Sequence, residues 1–198
     1  MKKQVVIIGG GDTFETYEIF LEQLKNSEFY LERYNTKRHY WSDWLRMELG
    51  EEYEVIIPSM PNSANAQYVE WKIMFEKMIP FLNDDVMLIG HSLGGSFIAK
   101  YLSETKFSKK IGGVFLVAGA FDTDTLGFSL ASFSLPEKLD LQTENIFLYQ
   151  SKDDPVVPFT AMENFIKAFG KAKTRIFEDR KHINTEDFPE LLLDIKSL

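Results

Sequence analysis

Ser92 stands in the string Gly90-His91-Ser92-Leu93-Gly94, directly after an apolar run, Asp85 to Ile89, and before Gly95 to Leu102, where apolar residues resume at helical spacing. A serine at a sharp strand-to-helix turn holds its hydroxyl clear of the backbone, and glycines two positions either side let strand and helix approach, as in the G-x-S-x-G turn. A serine hydroxyl is a weak nucleophile. Attack on a carbonyl needs a base within hydrogen-bond reach and a carboxylate to orient that base.

Three histidines are available as that base. His39 falls in an early segment without clear period. His91 adjoins the serine, where neighbouring side chains diverge, so it is expected to support the turn or the pocket. His182 lies in the loop after the last strand and is the expected base. Asp153 and Asp154 both follow the fifth strand, and proximity alone does not separate them. The turn Asp154-Pro155-Val156-Val157-Pro158 favours Asp154 as the orienting carboxylate, with Asp153 bracing the turn. The chain order Ser, Asp, His is the one expected of an α/β sheet enzyme with this turn.

With these roles His182 accepts the Ser92 proton, returns it to the leaving group and activates water to release the acyl group. The oxyanion would meet the backbone N-H of Leu93 and one from the loop Gly9-Gly10-Gly11-Asp12, assigned to Gly11; each such donor is worth about 3 kcal/mol. Asp12 is expected to turn its carboxylate away from the oxyanion or to cap the next segment, and Asp12, His91 and Lys181 are the candidates for the substrate pocket. The glycine loop lacks the G-x-G-x-x-G spacing of dinucleotide sites and the lysine of a phosphate loop, so no nucleotide is expected. No compact histidine spacing of the H-E-x-x-H kind occurs, so neither a metal nor another cofactor is expected.

The elements that position these residues follow from periodicity. Short apolar runs at Val5 to Ile8, Tyr53 to Ile57, Asp85 to Ile89, Val114 to Ala118 and Asn145 to Gln150, with a more alternating one at Lys173 to Glu178, read as six strands. Between them fall helical patterns: Phe14 to Leu24, Trp41 to Leu49 ended by Gly50, a helix capped by Ser63 or Asn65 and running to Met78, one from the serine to about Thr105, Phe159 to Phe169 ended by Gly170, and Asp187 to Leu198. Trp41 and Trp44 are read as a helix face against the sheet rather than a ligand wall. Alternating strands and helices predict right-handed crossovers and a three-layer α/β/α domain spanning 1–198, with ligands at the carboxyl edge of the strands. The long connection 121–140 would be a small lid or a surface excursion.

Composition narrows the function classes. With 22 Lys and Arg against 30 Asp and Glu, the formal charge of -8 argues against a nucleic-acid partner. The absence of cysteine removes disulfides, thiolate metal ligands and cysteine nucleophiles together. The apolar run after Met1-Lys2-Lys3 is too short for a signal peptide, and no run has the length of a membrane span, so no membrane insertion and a cytoplasmic location are expected.

The strings Trp41-Ser42-Asp43-Trp44-Leu45, Pro58-Ser59-Met60-Pro61-Asn62, Gly90 to Gly95, Ser151 to Pro158 and His182-Ile183-Asn184-Thr185-Glu186 make the chain resemble the α/β-hydrolase superfamily, in its small serine-hydrolase branch of the retinoblastoma-binding and YdeN-like type. The resemblance implies a mostly parallel six-stranded sheet in order 2-1-3-4-5-6 without a large cap, and a catalytic set at Ser92, Asp154 and His182. It implies a carboxylesterase acting on a small-molecule ester; monomer and small homo-oligomer both fit the sequence. The sequence departs from the pattern in Gly9-Gly10-Gly11, where relatives commonly start with His-Gly or Pro-Gly, in a longer Thr13 to Tyr40 segment, and in Lys181, where glycine commonly precedes the base. Two further readings fit the same scaffold. One is a catalytically idle or moonlighting interaction module using aromatic surface in the early insertion or 121–140. The other is an acyltransferase or lyase.

Overall fold

The computed structural model describes residues 2–31, 40–121 and 129–198. Six strands, β1 (Lys3–Ile8), β2 (Tyr53–Ile56), β3 (Val86–His91), β4 (Ile111–Val117), β5 (Ile146–Ser151) and β6 (Lys173–Phe177), form one sheet in the order β2-β1-β3-β4-β5-β6. Every neighbouring pair is parallel. The expected order is therefore the observed one, and among the described residues no large cap is inserted.

Both sheet faces are covered, which is why β1, β3 and β5 read as unbroken apolar runs rather than alternating ones. Val6 and Ile8 of β1 face a layer built from α3 (Tyr68–Met78), α4 (Leu93–Glu104) and α5 (Phe159–Phe169), reached through Trp71, Phe97 and Phe165. Val5 and Ile7 face the opposite layer, α2 (Trp41–Leu49) and α6 (Pro189–Lys196), through Trp41, Leu45, Leu191 and Ile195. Phe97 is buried among aromatic rings, its centroid 5.7 Å from Trp71 and 5.5 Å from Phe75 in edge-on contacts.

Departures from the sequence reading lie where distant segments supply local chemistry. Neither Ser63 nor Asn65 caps α3. Residues 63–65 form a separate 3-10 turn, and the Tyr68 amide at the start of α3 donates instead to Ser132 Oγ at 2.9 Å, 64 residues away. The first helix, α1 (Tyr17–Asn26), begins three residues later than Phe14 because Thr16 caps it, its hydroxyl accepting the Ile19 amide at 3.3 Å. It buries none of its residues. Phe20 packs on Phe14 and Tyr17 rather than on the sheet.

In the 121–140 connection, residues 122–128 lie outside the described residues, as does His39. Leu130 and Phe133 are fully buried, Phe133 edge-on to Trp71 at 5.1 Å, so this part of the connection belongs to the core. At the sheet edge β6 is largely exposed, and Arg175 ties it to α6 through two bonds to Asp194, 3.0 and 2.7 Å. Among the described residues no helix is long and apolar enough to cross a membrane.

Candidate active site

Ser92 joins β3 directly to α4 and adopts φ 55°, ψ -124°. A left-handed φ at a non-glycine residue costs about 1–3 kcal/mol and persists only where the surroundings enforce it. Here its amide donates to the Val117 carbonyl at 2.9 Å and its carbonyl accepts from Gly95 N at 2.9 Å. Packing leaves no alternative path for the chain. A Cβ on Gly94 would lie 2.2 Å from the Ile8 carbonyl oxygen, and one on Gly90 would lie 2.5 Å from the Gly94 oxygen. The Ser92 side chain does not cap α4, so the hydroxyl is available to the cavity. The Leu93 amide belongs to the first turn of α4, where backbone donors have no partner within the helix.

The loop after β1 brings its glycines to this turn. A Cβ on Gly10 would stand 3.0 Å from Ser92 Cβ and 3.5 Å from its Oγ, whereas one on Gly11 would meet the Ser63 carbonyl at 2.7 Å and the Trp71 ring at 3.2 Å. Gly10 is thus the residue against the serine, and Gly11 is packed on the 63–65 turn. Asp12 is held by both ends of its backbone, its amide donating to the Ser63 carbonyl at 2.8 Å and its carbonyl accepting from Ala66 N at 2.7 Å. It does not cap α1, which Thr16 does.

From β5 comes the carboxylate that reaches histidine. Asp154 Oδ2 lies 2.8 Å from His182 Nδ1, and the Asp154 side chain is fully buried. Its Oδ2 also accepts from Gln150 Nε2 at 3.0 Å, while Oδ1 accepts the amides of Val156 and Val157 at 2.8 and 3.0 Å. Four bonds satisfy the acceptor capacity of an ionised carboxylate. With its proton on Nδ1, facing Asp154, His182 keeps Nε2 as the lone-pair nitrogen, and Nε2 has no hydrogen-bond partner among the described residues.

Asp153 does different work. Its Oδ1 accepts from Ser151 Oγ at 2.6 Å and from the Lys181 amide at 2.8 Å, and Ser151 Oγ accepts the Arg180 amide at 2.9 Å. The bond from Ser151 leads in holding this carboxyl below its usual range. Asp153 therefore braces the loop that carries His182, while Asp154 meets the ring. Arg180 fixes the same loop to α6 through two bonds to Glu190, 2.8 and 2.6 Å, with its guanidinium 4.0 Å from the Phe177 ring centre.

His91, at the end of β3, donates from Nε2 to the His182 carbonyl at 2.9 Å. Burial pushes its pKa down to about 4, so it is neutral near pH 7. Its ring lies 5.0 Å from that of His182 and 6.1 Å, edge-on, from Trp41.

Ser92, His91 and His182 line one cavity of about 630 Å³, together with Gly10, Gly11 and Asp12. Leu93 is buried behind the serine. Lys181 lies off the cavity lining: its amide is tied to Asp153, and its φ of 50° falls in the left-handed region that favours glycine. Trp41 is both core and wall, 3% exposed yet on the cavity surface. Sequence reasoning missed Gln150 and Ser151, which hold the two aspartates. Their signal was a pair of polar residues ending an otherwise apolar strand. Among the described residues no group of three or more His, Asp or Glu could hold a metal ion.

The family model described as serine hydrolase matches residues 33–189. The chain belongs to this family of serine hydrolases. Among curated proteins it is 26% identical over 159 residues to the protein YdeN of Bacillus subtilis (strain 168), an alignment covering 77% of this chain and 83% of that one. It is 27% identical over 169 residues to the serine hydrolase RBBP9 of Rattus norvegicus, covering 81% and 87%. The crystal structure of the B. subtilis ydeN gene product superposes with a TM-score of 0.73 at 21% identity, over 99% of this chain and 98% of that one. The chain is thus a serine-hydrolase-type enzyme on an α/β-hydrolase fold.

Proposed function

We propose that this serine hydrolase is a carboxylesterase that cleaves small esters through an acyl-enzyme on Ser92. The observation that carries the proposal is the 2.8 Å contact between His182 Nδ1 and the fully buried Asp154, in a loop that opens on the same cavity as Ser92. Asp154 holds the imidazole with Nε2 unprotonated. His182 takes the hydroxyl proton as Ser92 Oγ bonds to the ester carbonyl carbon, and the carbonyl electron pair moves onto oxygen. That oxyanion is met by the backbone N-H groups of Leu93 and Gly11, with Gly10 lacking the side chain that would crowd it. Collapse of the intermediate breaks the bond to the alcohol, which leaves with the proton from His182. Water then enters, gives its proton to His182 and releases the acid by the same steps in reverse.

The neutral His91 leaves the cavity without a second imidazolium, and its bond to the His182 carbonyl supports the position of the base. The test is labelling with a fluorophosphonate. The folded protein is expected to label at Ser92, with labelling lost in Ser92→Ala and ester turnover collapsing in His182→Ala. Folded protein that does not label at residue 92 would overturn the proposal.

A further inference from the structure

We infer that Asp12 makes this cavity selective for substrates carrying a positively charged group near the scissile ester, an inference that takes from the proposed function only the identity of the bond cleaved. Asp12 lines the 630 Å³ cavity with Ser92 and His182, and it also lines an adjoining cavity of about 360 Å³ bounded by Phe14 and Ile19. It stands where the two meet. Its backbone is anchored at both ends to the 63–66 turn, so the carboxylate is presented from a fixed point.

That carboxylate has no hydrogen-bond or ion-pair partner among the described residues. The two aspartates after β5 are both engaged, Asp153 by Ser151 and the Lys181 amide, Asp154 by four donors. Glu15, which shares the smaller cavity, accepts from Ser129 Oγ at 2.6 Å. Among the described residues neither cavity is lined by lysine or arginine. Asp12 is exposed at the cavity mouth, and its partial burial there raises its pKa. A cation offered by a ligand would supply the partner that the protein does not.

Two further features fit a cation. Tyr40 and Trp41 line the same cavity, and aromatic rings attract cations. Tyr40 also borders a neighbouring groove that holds Asp43, Glu186 and Asp187, so among the described residues further carboxylates lie next to the cavity. Lys181, the exposed cation beside the base, lies off both linings. The reach is short. Gly10 touches Ser92 and Asp12 is two residues further, at most about 7 Å along the chain, a span that three methylene groups between carbonyl and ammonium would cover.

The test uses Ser92→Ala, in which ligands bind without turnover, and two probes: the p-nitrophenyl ester of γ-trimethylammoniobutyric acid and its uncharged isostere with tert-butyl in place of trimethylammonium. Calorimetry gives the ratio of the two affinities. Adding Asp12→Asn is expected to lower the cationic-to-neutral ratio about tenfold, a change of one decade in Kd, and raising ionic strength with Asp12 intact is expected to weaken only the cationic ester. A ratio that changes less than about twofold with Asp12→Asn overturns the inference. So does a cationic ester whose affinity is indifferent to salt, which is the deciding measurement if the double variant binds neither probe. Turnover of the uncharged ester by the unmodified protein reports separately on the esterase proposal. Its absence, with the affinity ratio still set by Asp12, would sink that proposal and leave this inference standing.

Discussion

His91 Nε2 donates to the carbonyl oxygen of His182 at 2.9 Å, so the residue immediately before the serine holds the backbone of the loop that carries the proposed base. Nε2 carries a proton in either charge state, but burial pushes the pKa to about 4 and keeps His91 neutral near pH 7. A folded-state value below the ordinary 6.5 means that the unfolded chain binds more protons between the two. Stability from this residue is therefore complete above about pH 6.5 and is lost as pH falls toward 4. His91→Gln keeps a neutral donor, and its unfolding midpoint in urea is expected to vary less than that of the unmodified protein across this window. Equal pH dependence in the two proteins would count against the role.

The two aspartates are expected to separate by kinetics. Asp154→Asn disturbs the tautomer that faces His182 and should lower kcat by about 10³–10⁴-fold, as loss of an orienting carboxylate does elsewhere. Asp153→Asn retains an oxygen for the Ser151 hydroxyl and the Lys181 amide, and should cost less than about tenfold. Rates of ester turnover and of fluorophosphonate labelling both report the difference. Equal losses would mean that Asp153 acts on the ring rather than on its loop.

Three glycines where the loop after β1 meets the Ser92 turn should give three different outcomes. A Cβ on Gly94 meets the Ile8 carbonyl at 2.2 Å, backbone that cannot move without shifting β1 or α4, so Gly94→Ala is expected to lose about 3 kcal/mol or fail to fold. Gly9 has nothing within 4 Å of that position, and Gly9→Ala should fold with stability within about 0.5 kcal/mol. The tight contact of Gly10→Ala is with the Ser92 side chain, at 3.0 Å, while the His91 carbonyl at 3.6 Å is an ordinary contact. It should fold and label slowly. Denaturation midpoints and labelling rates together distinguish the three.

Away from the cavity, Asp194 links β5, β6 and α6. Tyr149 donates to it at 2.7 Å and Arg175 makes two bonds. Burial opposes its charge, but the bonds from Arg175 and Tyr149 outweigh burial and leave its pKa lowered. Its contribution is therefore present above the unfolded value near 3.8 and is lost as pH falls through the lower folded value. Asp194→Ala strands the Tyr149 hydroxyl, buried with 1% exposure, and is expected to cost about 3 kcal/mol. At a temperature where the variant remains folded, Ser92 labelling should persist. Thermal unfolding and labelling check the two halves.

Much of this arrangement is legible in the one-dimensional sequence because its signals are local. An apolar run ending in Gly-His-Ser-Leu-Gly specifies a strand, a tight turn and a helix, since only glycine tolerates the approach of Ile8 to position 94. The continuous runs of β1, β3 and β5 specify strands buried on both faces, and hence helices on both sides of a parallel sheet. Resemblance then gave the strand order.

What tertiary structure decided are the contacts between segments far apart in the chain. Asp153 and Asp154 are neighbours with identical side chains, and only the relative position of the 180–183 loop sends one to the Lys181 amide and the other to the His182 ring. The Tyr68 amide finds Ser132 rather than a nearby cap, and His91 finds the His182 carbonyl, 91 residues on. The same is true of Ser92: the sequence marks it as the turn between a strand and a helix, but its φ of 55° is held by Val117 and Ile8, on the strands to either side. Local spacing dictates which backbone path is possible at each point, and the packing of the whole sheet determines which polar groups meet across it.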